Sequence, residues 1–263
     1  ISNLKSQISN VKLIITIDNG IVANKAVDFA NQHGIDVIIT DHHVLGKKLP
    51  NAFAIVHTTK LCGTGVAYLL AQEIRRVSLN LFQDLRSSQK KMLKRVQHDN
   101  VSEAHLELVA LATIADLVPL VGANRTLLKF GLKELQKTQR IGLKALFQEA
   151  GIESSKIGVY EIGHIIAPRL NAMGRLEYAM DSLRLLCTTN QEKARDLAQV
   201  LGNTNRERQE LTIATVEHAK SKIRSAKSAD EIRNLLFIAE ESYKQGVIGL
   251  VAGKLVEEFY RPA

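Results

Sequence analysis

Two segments decide the fold. The first is Val11-Lys12-Leu13-Ile14-Ile15-Thr16-Ile17-Asp18-Asn19-Gly20, and the second is Ile35-Asp36-Val37-Ile38-Ile39-Thr40-Asp41-His42-His43. Each is an apolar, β-branched run that ends in an acidic residue, the signature of a strand in an α/β sheet. Between them, residues 22–33 carry helical spacing, with Ile21, Val22, Ala26, Phe29 and Ala30 as the inner side and Gly34 as the stop. The segment therefore predicts a β-α-β unit with strands at 13–17 and 37–40, both buried on both faces. In open α/β sheets, ligands bind beyond the carboxyl ends of the strands. Asp18, Asp41, His42 and His43 should accordingly converge on one site.

Working outward, a third strand is expected at 52–56 and a helix at 66–76, opened by Cys62-Gly63-Thr64-Gly65. Glycines before a helix can hold a phosphate or make a tight, closely packed turn, and the spacing fits both. Residues 78–100 break the α/β rhythm. They are polar and basic (Arg86, Lys90, Lys91, Lys94, Arg95) and read as an insertion, either a solvated excursion or a nucleic-acid contact. Order returns with an apolar helix over 106–115, which runs into Asp116-Leu117-Val118-Pro119, where Pro119 should stop it. Amphipathic helices are expected at 124–136 and 143–150. The stretch 162–176 reads as irregular, and residues 191–227 as one long connector helix with a break near Gly202. A strand at 234–239 and a helix at 250–260 would begin a second α/β domain.

The composition bounds the function. The chain has 263 residues, of which 45% are hydrophobic, with no Trp, so its core is aliphatic. It holds no run of 18 apolar residues, which argues against a membrane-spanning helix. Cys62 and Cys187 are far apart in sequence and have no metal-like spacing, which fits a reducing cytoplasm. A net charge of +8 favours an anionic partner such as nucleic acid. The chain opens on Ile1 and stops soon after a helix-like run, and it reads as a fragment at both ends.

Carboxylates and imidazole at strand ends suit Mn²⁺ or Mg²⁺ better than a cysteine-based zinc site. Asp18, Asp41, His42 and Asp116 form such a set. Two ions about 3.5–4 Å apart can bridge a nucleophilic water and stabilise a phosphoester leaving oxygen. For Asp116, a ligand and a cap before Pro119 fit the spacing equally. Arg169 and Arg175, with Asn171 between them, suit phosphate contacts, although by spacing alone arginines of a solvated loop are the commoner case.

Thr40-Asp41-His42-His43 resembles the signature of the DHH phosphoesterase superfamily. Thr16-Ile17-Asp18-Asn19-Gly20 resembles that family's second motif, and Ala115-Asp116-Leu117-Val118-Pro119-Leu120 with Asn124-Arg125 its fourth. Arg169-Leu170-Asn171-Ala172-Met173-Gly174-Arg175, Asn205-Arg206-Glu207-Arg208-Gln209 and Gly246-Val247-Ile248-Gly249 resemble the RecJ branch, exonucleases specific for single-stranded DNA. The resemblance implies a DHH domain over 1–190, a connector helix over 191–230 and the start of a DHHA1 domain over 231–263. It implies that Asp18 bridges two Mn²⁺ or Mg²⁺ ions, that His42 and Asp116 each ligate one, that Asp41 supports the site and that His43 contacts the scissile phosphate. Arg169, Asn171 and Arg175 would hold DNA phosphates.

The implied activity is 5′→3′ hydrolysis of single-stranded DNA in repair and recombination, with helicase or single-strand-binding proteins as partners by resemblance alone. The family's first motif, an Asp-x-Asp, has no counterpart in the sequence, so the two-ion site is expected to be incomplete. Lys244-Gln245 stand where the family often has a His, and His57 with its threonines replaces a more usual Asn-Pro-like turn. Two alternatives stay open: a DHH phosphoesterase for short oligonucleotides or nucleotide phosphates, and an inactive DNA-binding scaffold.

Overall fold

The computed structural model describes residues 10–85, 105–225 and 235–263, which form two compact units, Ile1–Lys137 and Thr138–Ala263. The first is mixed α/β. Strands β1 (Leu13–Ile17), β2 (Asp36–Asp41) and β3 (Ala54–His57) make a parallel sheet in the order β1-β2-β3. In register, Ile17 lies beside Thr40, and Asp41 beside His57. This alignment brings the carboxyl ends of all three strands to one edge.

Helix α1 (Asn24–Gln32) connects β1 to β2 and ends at His33, with Gly34 in the left-handed region at φ +67°. Its buried residues, Val27 and Ala30, join Ile21, Ile35, Val37 and Ile39 in one apolar cluster. Val22 and Ala26, expected on the inner side, are exposed. The helix begins two residues later than the spacing suggests, and the side packed on the sheet runs through Val27 and Ala30. β2 is largely buried, as expected, but β1 is largely exposed along its length. Among the described residues β1 pairs only with β2 and is an edge strand, so its apolar run lacks the double cover that β2 has.

Helix α2 (Gly63–Leu85) contacts all three strands. It continues well past Arg76 into the expected insertion; residues 86–100 of that expectation lie outside the described residues. Helix α3 (Leu106–Ala115) is apolar on nearly every side and correspondingly buried. It packs against α4 (Gly122–Gln136), where Gly131 lets the Leu106 carbonyl approach to a distance that a Cβ would forbid. The chain leaves α3 at Asp116, its C-cap, through Leu117 at φ +55°. The helix therefore ends before Pro119 has any effect.

The second unit is helical. Helix α5 (Ile141–Glu149) is followed by a 3₁₀ turn (Ser154–Lys156), the single turn α6 (Val159–Glu161), a π-helical segment (Ile162–Ile166) and α7 (Ala167–Leu176). The stretch expected to be irregular is thus one helical run. Pro168 falls in the first turn of α7, where its missing N–H costs little. Helix α8 (Met180–Cys187) precedes α9 (Gln191–Ser225), which is unbroken at Gly202. That glycine does not interrupt the helix. It makes room for Glu149, since a Cβ there would lie 1.9 Å from its Oε1.

Helix α10 (Gln245–Phe259) starts earlier than expected. Residues 235–239 form no strand, and residue 234 lies outside the described residues. The segment has no ladder partner among the described residues. It packs instead through Leu236, whose N–H donates to the Pro262 carbonyl, into a cluster with Val216, Ala219, Ile223, Val251 and Leu255. No helix among the described residues is long and apolar enough to cross a membrane.

Candidate metal centre

The sheet delivers Asp18 and Asp41 to adjacent strand ends, and the helix layer delivers Asp116. The Asp18 N–H donates to the Thr40 carbonyl at 2.9 Å, extending the β1–β2 ladder by one bond. Beyond it the backbone of Asp18 turns left-handed, at φ +63°. Few non-glycine residues tolerate that conformation, Asp among them, and such strain is concentrated at functional sites. The turn is fixed from both sides. The Thr16 hydroxyl donates to the Asn19 carbonyl, and the Thr40 hydroxyl donates to the Thr16 carbonyl, each at 2.7 Å.

Asp41 is 1% exposed and accepts four hydrogen bonds. Its Oδ2 takes the Ile21 N–H at 2.9 Å. Its Oδ1 takes the His42 N–H at 2.7 Å, the His43 N–H at 3.2 Å and the His43 Nδ1–H at 2.7 Å. Burial alone would raise its pKa, but the Ile21, His43 and His42 donors outweigh it and hold the carboxyl at about 2. The hydrogen bond that His43 donates to Asp41 in turn raises the pKa of the His43 imidazole, with Asp18 and Asp116 adding to the effect. The ring of His43 is 60% exposed, anchored at Nδ1 and turned outward.

His42 sits between two carboxylates. Its Nε2 is 3.0 Å from Asp18 Oδ1 and its Nδ1 is 3.5 Å from Asp116 Oδ2. One ligand atom each from Asp18, His42 and His43 lies within 4.8 Å of the others. One carboxylate and two imidazoles, close together and partly open to solvent, with the Asp116 carboxylate at the other nitrogen of His42, fit hard divalent cations with room for further oxygen ligands. Asp116 is the C-cap residue of α3, as the cap reading of its spacing expects, and its carboxylate faces His42.

Sequence reasoning missed three supports. A Cβ on Gly63 would lie 2.1 Å from Asp18 Oδ1. The Gly-Thr-Gly before α2 therefore opens space for the Asp18 carboxylate, an alternative to both a phosphate loop and a plain tight turn. His57, at the end of β3, places Nε2 2.7 Å from the His43 carbonyl and secures the loop after β2. Asn124 donates from Nδ2 to the carbonyls of Lys60 and Pro119, at 2.8 and 2.9 Å, tying the approach to α2 to the loop after Asp116. The position of Asn124 in the Asn124-Arg125 pair was the available signal for that role.

Arg169, Asn171 and Arg175 all lie on α7 in the second unit. Arg169 donates from Nε to Glu149 Oε2 at 2.8 Å and from Nη1 to the Ile165 carbonyl at 3.0 Å. Glu149 is 8% exposed and also accepts from Arg206, at 3.2 Å. Asn171 and Arg175 are exposed, and Arg175 donates to the Gly246 carbonyl at 3.2 Å.

Residues 2–113, which hold the strand ends and most of this cluster, match the DHH family, N-terminal domain. The chain is 35% identical over 260 residues to the single-stranded-DNA-specific exonuclease RecJ of Bacillus subtilis (strain 168), covering 95% of this chain and 30% of the relative. It is 34% identical over 262 residues to the RecJ of Escherichia coli (strain K12), covering 95% and 44%. The chain thus spans less than half the length of these curated relatives. Among solved structures, RecJ of Thermus thermophilus in complex with Mn²⁺ superposes with a TM-score of 0.78 at 29% identity, covering 99% of this chain and 37% of the other. A second exonuclease RecJ bound to manganese gives 0.78 at 28% identity, covering 99% and 62%.

Proposed function

We propose that the chain is the catalytic part of a metal-dependent exonuclease that hydrolyses phosphodiester bonds of single-stranded DNA in the 5′→3′ direction. The observation that carries this reading is the His42 imidazole held between Asp18 and Asp116, beside a His43 ring fixed by buried Asp41. The similarity to single-stranded-DNA-specific exonucleases supports the substrate class, and the polarity rests on the motif resemblance alone.

Asp18, His42 and Asp116 would hold Mn²⁺ or Mg²⁺. A divalent cation there supplies Lewis-acid stabilisation and a more acidic bound water. The remaining work belongs to the protein. Asp41 fixes the imidazole of His43 through Nδ1, leaving its Nε2 edge to donate to a phosphate oxygen. Asn171 and Arg175 offer exposed donors to the DNA backbone, whereas Arg169 spends two of its donors inside the fold and contributes mainly through charge. A net charge of +8 draws the polyanion to the surface, and binding should weaken steeply with salt.

The test is hydrolysis of 5′-labelled single-stranded DNA with Mn²⁺ by protein carrying residues 1–263, beside its His42→Ala variant. Release of labelled mononucleotide by the wild type, lost in a folded His42→Ala protein, is the expected result. Cleavage at the wild-type rate by His42→Ala would remove the site assignment.

A further inference from the structure

The second unit exposes an aromatic pair that neither its core nor the metal cluster uses. From Val159 to Leu176 the chain is one uninterrupted helical run through α6, the π-helical segment and α7. On its surface the rings of Tyr160 and His164 stack, with centroids 4.6 Å apart and planes 17° from parallel. Tyr160 is 62% exposed and His164 is exposed as well. His164 Nδ1–H donates to the Tyr160 carbonyl at 3.3 Å, which fixes the orientation of its ring. The π-helical segment starts between the two residues, and single π turns are frequent at functional sites.

The surroundings favour a polyanion with flat bases over an apolar partner. Further along the same run lie exposed Asn171 and Arg175. The 15 residue steps from Tyr160 to Arg175 span about 22 Å of helix, the reach of a short oligonucleotide. Among the described residues Arg175 has the Gly246 carbonyl as its only acceptor, and Arg208, on α9, only Asn205 Oδ1, at 3.2 Å from its Nε and 3.0 Å from its Nη2. Neither guanidinium has a carboxylate partner among the described residues, so both positive charges are left for a ligand. Burial, and then repulsion from Arg175, lower the pKa of Arg208, as expected for two cations sharing one locality. The one acid between the two rings, Glu161, is turned away, its Oε2 accepting the Gly158 N–H at 2.8 Å.

We propose that Tyr160 and His164 form a base-stacking platform for single-stranded DNA, with Arg175 and Arg208 holding the backbone farther along the same strand. The inference rests on the substrate class proposed above and names the surface that would receive the strand. Stacking on an aromatic side chain is sequence-tolerant, because every base presents a π face, and it adds to the electrostatic attraction of the phosphates.

The experiment compares two labelled oligonucleotides of equal length and charge, one of thymidines and one wholly abasic. Binding is read by fluorescence anisotropy at low salt, with EDTA present to prevent hydrolysis. The wild-type chain should bind the thymidine strand about tenfold more tightly than the abasic strand. Tyr160→Ala and His164→Ala should each reduce that preference, and Tyr160→Phe should keep it. An undiminished preference in both alanine variants overturns the platform. Equal wild-type affinity for the two strands overturns it too, while leaving the exonuclease reading in place. Failure of the wild type to bind either strand overturns the substrate class and the platform together.

Discussion

Replacing Asp41 by Asn should destabilise the first unit by about 2–3 kcal/mol at neutral pH, a figure that two views of the same hydrogen bonds give. The first counts hydrogen bonds. Asp41 Oδ2 accepts from Ile21, and Oδ1 accepts from His42, the His43 backbone and the His43 ring. An asparagine amide has one oxygen, so turning it toward the histidines sets its NH₂ against the buried Ile21 N–H. An unmet buried donor costs about 1–3 kcal/mol, and the bonds that survive lose their charge assistance. The second is proton linkage. The folded carboxyl titrates at about 2, against 3.8 for the free side chain. That depression corresponds to roughly 2.4 kcal/mol of stability. Because the folded value lies below the unfolded one, the contribution is complete above about pH 5 and is lost as pH falls toward 2. At pH 3 it should have shrunk to about 1.3 kcal/mol. The assay is urea unfolding in EDTA, read by pulsed hydrogen exchange on a peptide spanning residues 11–43. A gap between wild type and Asp41→Asn below about 0.5 kcal/mol at pH 7 would refute the reasoning, as would a gap unchanged at pH 3.

Gly63→Ala would push a Cβ to 2.1 Å from Asp18 Oδ1, so Asp18 must move. Mn²⁺ affinity measured by calorimetry should fall about tenfold or more, while thermal unfolding of the second unit stays unchanged. In that unit, Glu149→Gln leaves Arg169 and Arg206 without their shared carboxylate. The loss should be about 3 kcal/mol in denaturant unfolding, because a largely buried ion is left unpaired. Gly202→Ala forces the same carboxylate aside, since its Cβ would meet Oε1 at 1.9 Å, and should cost about 1–3 kcal/mol in that assay.

The parts of the fold legible in sequence were those governed by local pattern. The β-branched runs ending in Asp18 and Asp41 gave two parallel strands and the edge at which they meet. The apolar run 106–115 and the polar-apolar rhythm after residue 190 became helices with nearly the expected ends. What could not be read depends on contacts distant in sequence. The exposure of β1 follows from its position at the sheet edge, and its composition matches that of the buried β2. Residues 235–239 alternate in burial like a strand, yet form none, because a strand exists only with a ladder partner. Gly202 looked like a helix breaker, since glycine propensity is visible in sequence whereas the approach of Glu149 is not.

The candidate site divides in the same way. Asp18, Asp41, His42 and His43 converge as strand-end logic requires, and Asp116 joins them through His42. The inward engagement of Arg169 was hidden, because a guanidinium that serves a buried Glu and one that serves a phosphate have the same one-letter code.

The central claim is that Asp18, His42 and Asp116 hold a divalent cation. The most direct measurement is electron paramagnetic resonance of free Mn²⁺ titrated with the chain, its Asp18→Asn variant and its His42→Ala variant. The account predicts that the wild type quenches the free-ion signal and that each variant, still folded by circular dichroism, binds at least about tenfold more weakly. Wild-type chain that leaves the Mn²⁺ signal untouched, or His42→Ala that quenches it equally well, would contradict the account.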